Sequence, residues 1–175
     1  MIALTFSACY LFNPNTDPPA QVEACSAGVS PGDTKPNTRE VALGTGHGND
    51  FDAYSNGSNV TSVTGGQGAT MITPVVRVKA ESGDPSEACF LVEIVTEDLE
   101  SIGGGGSGGA GGGGGECFEG CGPLQVTQGA KMKLEDGYYY TDGVIYNPIE
   151  SGHVKLTLTV TGEDFSGTTT VEVYP

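Results

Sequence analysis

The chain has 175 residues, with 7 Lys and Arg against 22 Asp and Glu, so its formal net charge is −15 at pH 7. That length suits a single domain. The shortage of basic residues excludes nucleic-acid binding and electrostatic attraction to anionic lipid headgroups, because both require clustered Lys and Arg.

The chain begins with a short apolar run, Met1–Phe6, which leads into Ser7, Ala8 and Cys9. This pattern resembles the end of a bacterial lipoprotein signal, in which the cysteine becomes the lipidated first residue. The resemblance implies that residues 1–9 are a truncated export signal and that a lipid on Cys9 anchors the protein to a membrane. A full signal has a basic start and a longer apolar region. The alternative is an ordinary apolar segment, such as a strand.

Cysteine arithmetic favours export. The five cysteines are Cys9, Cys25, Cys89, Cys117 and Cys121. If the first carries lipid, the other four can form two disulfides, in any of three connectivities. Disulfides persist in oxidising compartments. We therefore expect a lipoprotein of the outer membrane or cell surface, or otherwise an extracellular protein.

Residues 10–38 are rich in Pro, Asn, Asp and Gly. Turn signals at this density leave no room for a periodic element. The composition predicts a flexible tether between the lipid anchor and a folded domain.

From residue 39 onward the pattern predicts short strands separated by turns. They cover residues 39–43, 50–54, 59–63, 71–79, 88–96, 123–127, 130–134, 138–140, 144–146, 153–161 and 168–174. The most apolar segment, 88–96, is predicted to lie centrally, and Pro74 suggests an edge or a bulge. Residues 138–140 and 144–146 flank a turn, as in a hairpin. Strands at this spacing are typical of a β-sandwich or a closed sheet.

Two stretches carry a resemblance to a known fold family. Residues 65–78 open on Gly-Gln-Gly before a strand, and residues 158–173 form an alternating hairpin. Both are similar to immunoglobulin-like domains of small exported bacterial proteins. The resemblance implies an all-β fold over residues 39–174, an immunoglobulin-like antiparallel β-sandwich, and it brings no active site. The core Trp of antibody-type domains is missing.

Residues 103–115 consist almost entirely of glycine. A segment without side chains has nothing to bury, and glycine loses the most entropy on ordering. A phosphate-binding loop would need a helix after it and usually a Lys, whereas the acidic Glu116 and Glu119 follow here. We expect a disordered loop inserted into the domain.

Two candidate sites stand out. Carboxylates in sandwich loops can hold calcium, and the candidates are Asp50, Asp52, Glu163 and Asp164. The alternative is that they are ordinary solvated acids; no other cofactor is predicted. Tyrosines can form an aromatic patch for a glycan or protein partner, and the candidates are Tyr138, Tyr140 and Tyr146. Because strand residues alternate, Tyr139 faces the other way, and core packing explains part of this cluster.

No arrangement of nucleophile and base is recognisable, since Gly-x-Ser-x-Gly is missing and the two His residues lie in unrelated contexts. The sequence favours a non-catalytic cell-surface lipoprotein whose sandwich serves binding or adhesion. One alternative is a structural subunit of an extracellular assembly built through β-edge contacts. Another is an accessory domain of a secreted hydrolase.

Overall fold

The computed structural model describes residues 20–33, 35–64, 69–99, 123–149 and 152–175. Apart from one 3-10 turn at Gly48–Asp50, the regular elements in these ranges are strands. They are β1 Val41–Thr45, β2 Asp52–Ala53, β3 Ser58–Asn59, β4 Ser62–Thr64, β5 Thr70–Ile72, β6 Val75–Lys79, β7 Glu87–Asp98, β8 Leu124–Glu135, β9 Tyr138–Thr141, β10 Asn147–Ile149, β11 Val154–Thr161 and β12 Ser166–Tyr174. The predicted all-β class is confirmed. Within the described ranges, no helix has the length and apolarity needed to cross a membrane.

The strands form two sheets. The larger has nine strands in the order β2-β1-β6-β9-β8-β7-β11-β12-β3, and the smaller has three in the order β10-β5-β4. Neighbours are antiparallel except for β3, which lies parallel to β12. The immunoglobulin-like subtype is not confirmed by this arrangement, because that fold divides its strands between two packed sheets of four and three or more.

Three strand-level predictions have clear outcomes. The apolar segment 88–96 does lie centrally, as β7 between β8 and β11. The edge position predicted from Pro74 is wrong, since β5 before it and β6 after it each have a neighbour on both sides; Pro74 lies where the chain passes from the small sheet to the large one. The hairpin predicted after Tyr138 is wrong, since β9 pairs with β6 and β8 while β10 pairs with β5. The turn does not reverse the chain onto β9, because Val144 bridges to Gln21 instead.

The core follows from period-two alternation along the long strands. In β11 the side chains of Val154, Leu156, Leu158 and Val160 are fully buried, while the residues between them point outward. On the outer face, Thr157 and Thr159 lie opposite Thr170 and Thr168 of β12. Such alternation lets one face of each strand contribute to a common apolar interior.

The large sheet curls until its two sides meet. Asn37 forms a parallel bridge with Ser166, and the Ser166 carbonyl accepts the Thr38 amide. Gly167 permits this approach, because a Cβ atom there would lie 2.5 Å from both the Arg39 carbonyl oxygen and a Val41 methyl group. The small sheet lies toward the opposite end, where Asn147 donates to the Thr96 hydroxyl near the end of β7 (2.7 Å).

The segment before β1 corrects the tether prediction in its described part. Residues 20–28, here called the N-terminal strap, lie against the large sheet rather than extending away from it. Val22 is buried, Ala24 bridges to Ala130, and the Cys25 amide donates to the Gly129 carbonyl. The strap holds because it contributes an apolar side chain and backbone hydrogen bonds, which a turn-rich composition does not reveal. Residues 10–19 lie outside the described residues.

The strap is also linked covalently to β7 by a disulfide between Cys25 and Cys89, whose Cα atoms are 6.0 Å apart. This pair is one of those that the sequence left open. With 64 residues separating the two cysteines, the chain-entropy model assigns it a stabilisation of about 4 kcal/mol. The other predicted positions and segments at Cys9, Cys117, Cys121 and 103–115 lie outside the described residues.

Gly129 provides a test of the strap. A Cβ atom at this position would overlap the Cys25 carbonyl oxygen, so we expect Gly129→Ala to displace the strap and lower the free energy of unfolding by about 2 kcal/mol. Hydrogen exchange should show loss of protection at the Cys25 amide. The matched control is Thr127→Ala, on an exposed position of the same strand, which should change stability by less than about 0.5 kcal/mol. Equal stability of the two variants, with Cys25 still protected, would contradict the arrangement.

Candidate functional site

A pocket of about 410 Å³ opens at the end of the large sheet where β7 and β12 begin. Four segments converge there because the antiparallel register places their turns at the same end. They are the end of the strap, the segment before β1, the turn between β6 and β7, and the turn between β11 and β12. The lining comprises residues 26–28, Arg39, Asp84–Pro85, Ala88–Phe90, Tyr139 and 163–165.

A buried ion pair lies at the pocket wall. The Arg39 side chain is only 7% exposed, and its Nη1 lies 2.6 Å from Asp84 Oδ2. Its Nη2 donates to Asp84 Oδ1 at 3.3 Å, so the contact is bidentate. The guanidinium carbon also lies 4.1 Å from the centre of the Phe165 ring. A buried cation is tolerated when a carboxylate neutralises it and an aromatic face covers it.

The environment of Asp84 favours its charged form. Burial by itself raises the pKa of this carboxyl, but the hydrogen bonds from Arg39 and from the Glu81 amide, with the charge of Arg39, outweigh burial. The net result is a pKa below the ordinary aspartate value. Asp84 is therefore ionised at neutral pH.

Aromatic rings form the floor of the pocket. Phe90 packs edge to face against Tyr139 and Phe165, with ring centroids 5.2 Å and 5.3 Å away. The Tyr139 hydroxyl donates to the Pro85 carbonyl oxygen at 2.5 Å, and burial raises the pKa of this phenol. These contacts fix the orientation of the rings beside the pocket.

The mouth of the pocket is acidic. Glu163 and Asp164 line it from the turn between β11 and β12, and both are exposed. Neither makes an ion pair or hydrogen bond with another described residue. These are two of the four carboxylates predicted to hold calcium. The other two, Asp50 and Asp52, follow the far end of β1.

The calcium prediction gains no support from this geometry. Within the ranges that the structure describes, no three His, Cys, Asp or Glu residues come together as a metal-binding group. The four predicted carboxylates do not meet because β1 separates them: the Glu163 turn lies beside the start of that strand, and the Asp52 turn follows its end.

The predicted tyrosine patch is largely packed. Tyr138 and Tyr140 share a face, with ring centroids 6.4 Å apart. Tyr140 is only 3% exposed, because Phe51 and His47 lie against it, and burial raises its pKa. Arg77 lies 4.4 Å from the ring centres of both Phe51 and Tyr138. Tyr146 lies beyond β9, directly before β10 of the small sheet.

Sequence reasoning missed most of the pocket. Arg39 and Asp84 are 45 positions apart, and no spacing rule connects them. Phe90 and Phe165 appear in the sequence only as apolar residues in or beside strands. The single available signal was the Asp-Pro turn at residues 84–85, which predicts a loop and not a binding role.

Comparison with protein-family models, with curated proteins and with solved structures finds no match to this chain. The immunoglobulin-like and lipoprotein resemblances therefore remain predictions. Function has to be argued from the geometry of the described residues.

Asp84→Asn tests the buried ion pair. The substitution leaves the buried Arg39 charge with only the exposed carboxylate of Glu81, 3.9 Å away, and we expect the free energy of unfolding to fall by about 3 kcal/mol. Chemical denaturation at neutral pH measures this. The matched control is Asp142→Asn, which breaks the ion pair between Lys133 and Asp142. Both side chains of that pair are 51% exposed, so the free energy of unfolding should fall by less than about 1 kcal/mol.

The loss of stability caused by Asp84→Asn has a defined pH dependence. Because the folded-state pKa of Asp84 lies below its ordinary value of 3.8, its contribution is fully present above that value and is lost as pH falls through the folded-state pKa. The stability gap between wild type and Asp84→Asn should therefore be constant near neutrality and should narrow in strong acid. A gap that widens on acidification would contradict the assignment.

Proposed function

We propose that the protein is a non-catalytic binding module and that the pocket beside Arg39 and Asp84 is its ligand site. The observation that carries the proposal is the pocket itself. Its volume of about 410 Å³ falls in the range of small-ligand sites, roughly 300–1,000 Å³. Apolar walls with a few fixed polar groups are the usual composition of such sites.

The state of the polar groups supports binding over catalysis. Arg39 and Asp84 satisfy each other, and the Tyr139 hydroxyl is engaged with a backbone carbonyl. A general acid or base needs a pKa near the working pH, whereas the pKa of Asp84 is lowered and that of Tyr139 is raised. Both shifts move the groups away from proton transfer at neutral pH.

The strand edges favour a binder over a subunit of an assembly. The outermost strands of the large sheet, β2 and β3, have two residues each, and β2 carries a charged Asp52. Pairing with a neighbouring chain requires a longer row of free backbone groups, and short, charged edges discourage it. Within the described ranges, the edge strands of the small sheet have three residues each.

The proposal includes an exported, surface-anchored location through lipid on Cys9. The Cys25–Cys89 disulfide supports it, because such bonds persist in oxidising compartments. An immunoglobulin-like origin of the domain is part of the same proposal, and the long alternating hairpin of β11 and β12 supports it.

Binding in the pocket can be tested by nuclear magnetic resonance with a set of small neutral, cationic and anionic fragments. We expect fragments to shift the amide signals of Ala27, Cys89 and Glu163. Ala27→Trp, which places a large ring at the pocket, should abolish these shifts because it occupies the cavity. Ala53→Trp, at an exposed position on β2, is the matched control and should retain them. Fragments that bind Ala27→Trp as well as wild type would refute the proposed site.

The anchor can be tested by cell fractionation of the full-length protein in a lipoprotein-processing bacterium. Wild type should be found in the membrane fraction, and Cys9→Ser should move to the soluble exported fraction because it cannot receive lipid. Thr127→Ala, remote from the N-terminus, should fractionate as wild type. If Cys9→Ser stays with the membrane, the anchor is elsewhere or absent.

A further inference from the structure

We infer that the pocket receives an aliphatic ammonium group, the chemistry of a lysine side chain or a small alkylamine. This inference rests on the proposed binding function and specifies the ligand class. Three features of the pocket carry it: a lining that is half apolar, an anionic mouth, and a guanidinium that is already neutralised.

The walls suit an alkyl stem. About half of the lining is apolar, and Ala88, Phe90 and Phe165 contribute to it, although both rings are nearly covered. Among the described lining residues, the buried guanidinium of Arg39 is paired with Asp84. Transfer of an alkyl chain from water into such a cavity is favourable in proportion to the apolar area removed from water.

The charge at the mouth determines which sign of ligand charge the pocket favours. Arg39 and Asp84 cancel each other, which leaves the exposed carboxylates of Glu163 and Asp164 as the net charge of the lining, −2 by formal count. Lys131, which lies opposite Cys89 on the neighbouring strand, is already paired with Glu23 and Glu87. A ligand cation at the mouth would therefore meet the two carboxylates of Glu163 and Asp164.

An anionic ligand fits poorly for the same reasons. The guanidinium that could receive it is 7% exposed, bonded to both oxygens of Asp84 and covered by Phe165. A carboxylate ligand would have to displace Asp84 and approach past Glu163. Both steps cost free energy, the first through loss of a buried pair and the second through like-charge repulsion.

Three probes of equal length separate the contribution of ligand charge to binding from that of apolar contact. Butylammonium, 1-butanol and butyrate are each titrated into the full-length protein while pocket amides are monitored by nuclear magnetic resonance. We expect butylammonium to bind about tenfold more tightly than 1-butanol, and butyrate to bind more weakly than either, as two exposed carboxylates near a cation would produce. Raising the salt from about 0.02 M to about 0.5 M should reduce the preference, because it shortens the screening length.

The variants remove only the charges at the mouth. The double variant Glu163→Gln with Asp164→Asn should lose the preference for butylammonium while still binding 1-butanol. The matched control is Glu135→Gln with Asp136→Asn, which removes the same formal charge from an exposed acidic pair at the end of β8 and in the turn that follows it. It should keep the preference. A preference that survives in the first double variant, or is lost equally in both, would overturn the inference.

The outcomes also distinguish failure of this inference from failure of the proposed binding function on which it rests. If no probe shifts the pocket amides, the binding function itself fails. If 1-butanol or butyrate binds as tightly as butylammonium, the pocket is a binding site but the ligand class is wrong. A capped lysine peptide that binds more tightly than butylammonium assigns the ammonium group to a protein partner, and the reverse order assigns it to a free amine; either result requires the preference for a cation.

Discussion

The contact between Ser166 and residues 36–38 holds the two sides of the nine-stranded sheet together, and the pocket depends on it. Where these segments meet, Arg39 follows directly on one side and Phe165 directly precedes the other. The guanidinium therefore lies over the phenyl ring at 4.1 Å. Gly167 is the residue that permits the approach, since any side chain there would meet the backbone of Arg39.

Burial of Arg39 sets the demands on the surrounding residues. A cation that is removed from water requires a counter-ion with well-formed hydrogen bonds, and Asp84 in the turn after β6 provides them. That turn is oriented in part by the Tyr139 hydroxyl, which bonds to the Pro85 carbonyl. The strap adds the remaining wall, and the Cys25–Cys89 disulfide keeps it beside β7. The pocket is thus the product of contacts between segments far apart in the chain.

The local sequence pattern predicted side-chain orientation correctly wherever a single strand alternates or is wholly apolar. The buried faces of β7 and β11 and the opposite orientation of Tyr139 follow from period-two geometry, which needs no knowledge of neighbouring strands. The predicted hairpin after Tyr138 was wrong because the turn chemistry at residues 141–143 does not specify which strand the chain joins next. The strap was missed because its hydrogen-bond partners, Gly129 and Val144, are more than a hundred residues away.

The sequence by itself determined the all-β class, the position of most strands, the central place of β7 and the acidic character of the surface. These properties depend on residue type and on alternation within a few neighbouring positions. Only the tertiary structure decided the sheet order, the choice of Cys89 as the partner of Cys25, and the meeting of Arg39, Asp84 and Phe165. Such contacts depend on how a curled sheet brings distant turns to one end, and no local pattern encodes that arrangement.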